Sequence, residues 1–276
     1  MRGRGGEGRA GVGGFGGRRT GRGPPVILPL CLCAFLAGLV DAVVGGGGLI
    51  QLPALFVFLP GVAPATVFGT NKLSSIAGTG FALRQYARHV AIDGRVAGPA
   101  ALAAFAFAWL GARAVSHVHP GHLRPIILAL LIAVAAYTFA RKDFGALHAP
   151  RLAGRRQLAV ALLTGTVIGF YDGFFGPGTG SFLIFAFIGL FGYDFLSASA
   201  SAKVVNVMTN LAALLYFAAT GQIDYAVALP MAACNVLGAR AGTALALARG
   251  SRFVRALFLV VAAALILKFA YDTFRP

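Results

Sequence analysis

The chain has 276 residues, of which 58% are hydrophobic and 12% charged, with a mean hydropathy of +0.80. Soluble domains carry about twice that share of charge, so an ordinary water-soluble fold is excluded. The formal charge of +16 does not signal nucleic acid. The arginines lie in an N-terminal tail and in short connections between apolar runs, as expected against anionic lipid headgroups. No soluble basic domain exists to carry a nucleic-acid surface. The lipid bilayer is the expected partner.

Residues 1–25 are glycine and arginine with almost nothing apolar. Such a tail cannot bury a core and reads as disordered. The first apolar run, Val26 to Val44, is long enough to cross a hydrocarbon core of about 30 Å. It ends in Gly38-Leu39-Val40-Asp41 and, four residues on, Gly45 to Gly48. The next run, Leu49 to Leu59, contains Pro53 and stops at Pro60-Gly61. It is too short to span as a straight helix and reads as a half-helix or re-entrant segment. A third helix is predicted from about Ala65 to Ala87, carrying Asn71, Lys72, Ser74, Ser75 and Thr79. A fourth is predicted from about Val96 to Val115 and a fifth from about Arg124 to Ala140. Between these two, His117, His119 and His122 read as a solvated basic loop rather than a metal site, since no carboxylate accompanies them. Residues 141–156 are basic and form the linker between two halves, 26–140 and 157–276.

The second half repeats the first. Asp172 follows Asp41 by 131 residues, and the same spacing separates Lys203 from Lys72, Asp224 from Asp93 and Pro230 from Pro99. Later the register slips, because Leu110-Gly111-Ala112-Arg113 answers Leu237-Gly238-Ala239-Arg240 at 127, one helical turn shorter. The fold class is therefore all-α, a polytopic membrane protein of two internal repeats with about 8–10 transmembrane or re-entrant helices. Duplication with matching breaks points to a transporter with its site at the repeat interface. If the short segments cross, each half makes five passes and the repeats are inverted. If they re-enter, each half makes four and the repeats are parallel. Arginine counts favour the second topology, with Arg249, Arg252 and Arg255 left on the wrong side.

Three sets of residues carry the chemistry. Asp41 and Asp172 each end an apolar run at a glycine break. A carboxylate at mid-depth marks function and can exchange protons; at an interface it would only terminate a helix. The breaks themselves, Gly45, Gly46, Gly47 and Gly48 and then Gly176, Gly178 and Gly180, expose helix N-terminal N–H groups suited to an anion. Their alternative role is close helix packing. Lys72 and Lys203 lie well inside apolar helices, beside Asn71 in the first case and before Asn206 and Asn210 in the second. They are expected to contact an anionic substrate or, for Lys72, to neutralise Asp41, in preference to the alternative of snorkelling to the interface. No nucleotide loop and no nucleophile with a placed base is present, so enzymatic chemistry is not expected. Cys31, Cys33 and Cys234 form no disulfide or zinc pattern. No cofactor or metal is expected.

At these residues the chain resembles the TauE/SafE family of membrane transporters, often called the sulfite exporter family. The resemblance runs from about Val26 to Asp272. It rests on the two aspartate–glycine motifs, on Gly69-Thr70-Asn71-Lys72-Leu73, on Lys203 to Asn206 and on Leu237-Gly238-Ala239-Arg240. Many members have Gln after the Asn-Lys-Leu triplet; here it is Ser74. The resemblance implies a multi-pass inner (cell) membrane protein that moves small anions such as sulfite, organosulfonates or related carboxylates. An anion channel and a non-transporting membrane subunit are the alternatives.

Overall fold

The computed structural model describes residues 24–115 and 148–274. Among these residues the chain is helical throughout, in eight helices. They are α1 (Pro24–Val44), α2 (Gly48–Phe58), α3 (Pro64–His89), α4 (Gly94–Val115), α5 (Gly154–Phe174), α6 (Thr179–Phe191), α7 (Phe195–Ala219) and α8 (Tyr225–Phe274). Gly250, with φ 69° and ψ −169°, breaks α8. The tail before Pro24, the histidines at 117–122 and the fifth predicted helix lie outside the described residues.

Five segments are long and apolar enough to cross a membrane: Val26–Val44, Gly94–Val115, Gly154–Phe174, Phe195–Ala219 and Tyr225–Val254. Large apolar side chains cover their outer faces, as with Leu28, Leu102, Leu163 and Leu229. In water such a surface would aggregate; against lipid it is the expected exterior. The two short helices, 11 and 13 residues, reach only about 16–20 Å at 1.5 Å per residue.

Helix directions follow from the order of close contacts. Along α4 and α5, Ala100, Ala104 and Ala108 face Gly165, Gly169 and Gly173 in turn, so close that a Cβ on any of these glycines would strike the alanine backbone. Small residues every four positions bring two helices together without a hydrophobic driving force, and here the pair runs parallel. The same device joins α1 to α8, with Gly38 against Asn235, Gly238 against Phe35 and Gly242 against Leu39. That pair is also parallel. In α3 and α8, Gly69 meets Gln222 and Gly78 meets Asn235, again parallel. By contrast α2 turns back along α3, since Phe56 contacts Phe68 while Gln51 reaches Asn235 opposite Gly78.

These directions correct the parallel arrangement that arginine counts favour. The pair α1–α2 is a hairpin that leaves the chain on the side where it entered, and α5–α6 is its counterpart entering from the other side. Because α1 parallels α8 and α3, while α4 parallels α5, the two halves run in opposite directions. Arg84, Arg88, Arg95, Arg151, Arg155, Arg156, Arg249 and Arg252 are then all exposed at one end of the bundle. Arg249 and Arg252 are not misplaced, whereas the start of α1 lies at the opposite end. Two close contacts keep the 131 spacing beside the words that lie 127 apart in sequence. Gly111 abuts the carbonyl of Phe170 and Gly242 that of Leu39, two contacts 131 residues apart on both sides. The repeated Leu-Gly-Ala-Arg words sit one turn apart on the same small-residue stripe.

At the arginine-rich end, loop side chains tie four helix starts together. Asp93 receives the Gln157 amide at 3.2 Å and the Tyr193 hydroxyl at 3.4 Å. Asp194 caps α7, accepting the N–H groups of Leu196 and Ser197 and the hydroxyls of Ser197 and Ser251. Burial alone would raise the Asp194 carboxyl, but the Ser197, Ser251 and Leu196 hydrogen bonds outweigh it and hold the group below its ordinary 3.8. A depressed carboxylate adds stability above the unfolded value and loses it as pH falls through the lower folded value. Asp194→Ala should therefore lower stability by about 1–2 kcal/mol at neutral pH, as measured by thermal unfolding in detergent, and Asp194→Asn by less. The difference between wild type and Asp194→Ala should shrink below about pH 4; an equal difference at pH 7 and pH 3 would count against the capping account.

Candidate functional site

The two hairpin tips meet beside the middle of α3. Gly45, with φ 76°, sits against Gly180, and a Cβ on either would strike the other's backbone. The Ser181 N–H donates to the Gly45 carbonyl at 3.2 Å and the Ser181 hydroxyl to the Val44 carbonyl at 2.8 Å. Here glycine turns the chain and lets two backbones touch, the second of these being the close-packing role foreseen for it. Gly176, with φ 91°, turns the second tip as Gly45 turns the first, and any residue with a Cβ is disfavoured there.

Each tip carries one aspartate in the last turns of its first helix, and each aspartate is held by a lysine of the other half. Lys72 Nζ donates to Asp172 Oδ2 at 2.8 Å and to the Asp172 carbonyl at 3.0 Å. Lys203 Nζ donates to Asp41 Oδ2 at 2.8 Å and to the Asp41 carbonyl. The pairing differs from the expected one, since Lys72 neutralises Asp172 and not Asp41. Both lysines are buried, at 3% and 0% exposure, so neither snorkels. Lys72 is the ninth residue of α3, and Thr79, seven further on, donates to Asp41 Oδ2 at 3.2 Å. Both tips therefore lie level with the central turns of a helix about 39 Å long, far from the ends of α3.

Around the tips is a small, partly open cavity. Nine of the sequence-predicted residues line it: Asp41, Gly45, Gly48, Asn71, Lys72, Asp172, Gly176, Gly180 and Asn206. Four do not. Lys203 is buried and bonded to Asp41, Gly47 packs against Ala37 and Asp41, Gly178 makes the left-handed turn before α6, and Gly46 is not among the lining residues. Four lining residues were not proposed: Ser75, Thr79, Thr179 and Asn210. Helical spacing would have found three of them. Positions 72, 75 and 79 on α3, and 203, 206 and 210 on α7, lie on one face at i, i+3 and i+7. Ser74 points away from the cavity and is fully buried. Among the described residues no group of three His, Cys, Asp or Glu side chains is placed to hold a metal.

The match to the family model for Sulfite exporter TauE/SafE covers residues 30–269. The chain belongs to the TauE/SafE family. Among curated relatives, a probable membrane transporter protein, ORF9, of Sinorhizobium sp is 35% identical over 90% of this chain and 93% of its own. The probable membrane transporter protein YfcA of Escherichia coli K12 is 34% identical over 91% of each chain. A probable membrane transporter protein of Haemophilus influenzae is 32% identical over 89% of this chain and 95% of its own. No solved structure gives a significant match. This TauE/SafE member is thus a multi-pass membrane transporter, and the paired tips are its candidate site.

Two expectations test that geometry. Lys72→Ala leaves Asp172 buried without its partner and should destabilise the folded protein by about 3–5 kcal/mol. The double variant Lys72→Met with Asp172→Leu should recover most of that loss in detergent melting; no recovery would show that the pair is not what holds the tip. Gly45→Ala should lower the yield of folded protein more than Gly61→Ala. Gly61 has the same left-handed φ (80°) but open space around it; equal yields would show that contact between tips is dispensable.

Proposed function

We propose that this protein carries small anions across the cell (inner) membrane, binding them in the cavity between the hairpin tips with uptake of a proton. Sulfite, organosulfonates and related carboxylates are the favoured class. The observation that carries the reading is the pair of buried lysine–aspartate contacts, each made across the two halves at a broken helix. Charge balance gives the mechanism. A lysine–aspartate pair is neutral, and adding one anion to a low-dielectric cavity would leave a net negative charge. A proton on the aspartate removes it, so anion and proton bind best together. The protonated carboxyl no longer occupies Lys72, which is then free to hold the anion.

We also read the two halves as inverted duplicates. In support, the contacts at Gly111 and Gly242, the left-handed glycines 45 and 176, and the left-handed glycines 61 and 192 all keep the 131 spacing. Inverted repeats around a central site suit alternating access by movement of one half against the other.

The test is anion flux into proteoliposomes under an imposed pH gradient. Flux of sulfite or a sulfonate should rise as pH falls on the loading side. Folded Asp172→Asn should bind anion at least as well and lose that pH dependence, with anion-for-anion exchange surviving better than net movement. Wild-type pH dependence in Asp172→Asn would remove the proton from the mechanism. Downhill flux without any coupling would make the protein a channel, and no flux from the purified chain would favour a subunit of a larger assembly.

A further inference from the structure

The cavity wall is asymmetric at one informative place. On α3 the wall residues are Asn71, Lys72, Ser75 and Thr79; the positions 131 residues later are Ala202, Lys203, Asn206 and Asn210. Lysine answers lysine and polar answers polar, except that Asn71 is answered by Ala202. Asn71 lines the cavity and is 5% exposed, yet its Oδ1 has no hydrogen-bond partner in the protein. The Ser74 hydroxyl, one turn on, is likewise unpaired but does not line the cavity, whereas several polar groups that do line it are engaged. The Thr79 hydroxyl goes to Asp41, the Thr179 hydroxyl to the Gly176 carbonyl, the Asn210 amide to Asn206 Oδ1, and Lys72 to Asp172.

A buried acceptor left unpaired is costly, and proteins keep one where something else supplies the bond. Lys72, the next residue in the chain, offers donors only. An anion drawn to that lysine brings acceptors of its own, which cannot satisfy the Asn71 carbonyl. An anion with an O–H or N–H satisfies both, lysine through its charged oxygens and Asn71 through its donor. Resting on the anion-transport reading above, we infer that Asn71 makes this site selective for small anions carrying their own hydrogen-bond donor, such as hydroxy- or amino-substituted sulfonates and singly protonated oxyanions. A pocket built to bond a hydroxyl rejects the analogue that lacks it far more strongly than an apolar pocket rejects the addition.

The experiment compares 2-hydroxyethanesulfonate with ethanesulfonate, equal in charge and close in size, in proteoliposomes of wild type, Asn71→Ala and Asn71→Ser. Wild type should favour the hydroxylated anion by about tenfold in apparent affinity. Asn71→Ala should abolish that preference by weakening the hydroxylated anion alone, and Asn71→Ser, which keeps an acceptor, should retain part of it. Equal wild-type affinity for the two anions would overturn the inference. So would equal weakening of both by Asn71→Ala, which would make the amide an N–H donor to any anion. Flux without discrimination removes this inference only, while absence of flux for either anion from folded wild type removes the transport reading and this inference with it.

Discussion

A charge inside hydrocarbon must be paired, and this requirement shapes the centre of the molecule. Two lysines and two aspartates sit level with the middle of the bundle, where an isolated ion would be untenable. Each finds its opposite on the other half of the chain, at 2.8 Å in both cases. The pairing therefore does more than neutralise. It ties α3 to the tip of the second hairpin and α7 to the tip of the first, so the halves cannot separate without exposing four charges. A pairing within one half would have neutralised the same charges and left the halves free.

Contact between tips needs a second condition, which is backbone proximity. Lipid tails are as apolar as leucine, so helices gain little by burying large side chains against each other and much by approaching closely. The alanine and glycine stripes of α4 and α5, and the glycines joining α1 to α8, supply that approach. They also fix direction, since a stripe of small residues fits its partner in one register. The parallel run of α4 with α5 sets the two hairpins entering from opposite ends, and Gly45 and Gly180 are small enough for the tips to touch.

Much of this was legible in the sequence. Hydropathy marked the spans, shortness and proline marked the first half-helix, and rare residues in one register marked the aspartates, lysines and glycine breaks. What the sequence withheld was relational. Lys72 and Asp41 lie closer in sequence than Lys72 and Asp172, yet it is the distant pair that forms, because a hairpin tip faces across the bundle and not along its own half. Arginine counting failed for a related reason. It takes the first apolar run as a full pass and the short run after it as a re-entry from the far side, whereas α1 and α2 together return to one side, and only the glycine contacts reveal this. The two words 127 apart lie on stripes of small residues, where a four-residue shift changes little in local sequence. Ser75, Thr79 and Asn210 were within reach, since they share the lysine faces of α3 and α7, but Thr179 depends on how the second tip folds.

The lysines hold more than carboxylates. Lys72 also bonds the main-chain carbonyl of Asp172, and Lys203 that of Asp41. These carbonyls lie in the last turns of α5 and α1, where the helix dipole is negative and a cation is favoured. The consequence concerns what remains when a carboxylate takes up a proton. The side-chain contact weakens, but the carbonyl contact does not depend on protonation and keeps the ammonium at the tip. Lys72 would then stay in place with a donor free and turned to the cavity, so no large side-chain motion need precede anion binding. Lys203 has the same carbonyl anchor but is fully buried and does not line the cavity. The two pairs are alike in chemistry and unlike in exposure. On the transport reading proposed above, that difference puts the substrate-facing charge on α3 and leaves α7 to hold the opposite tip.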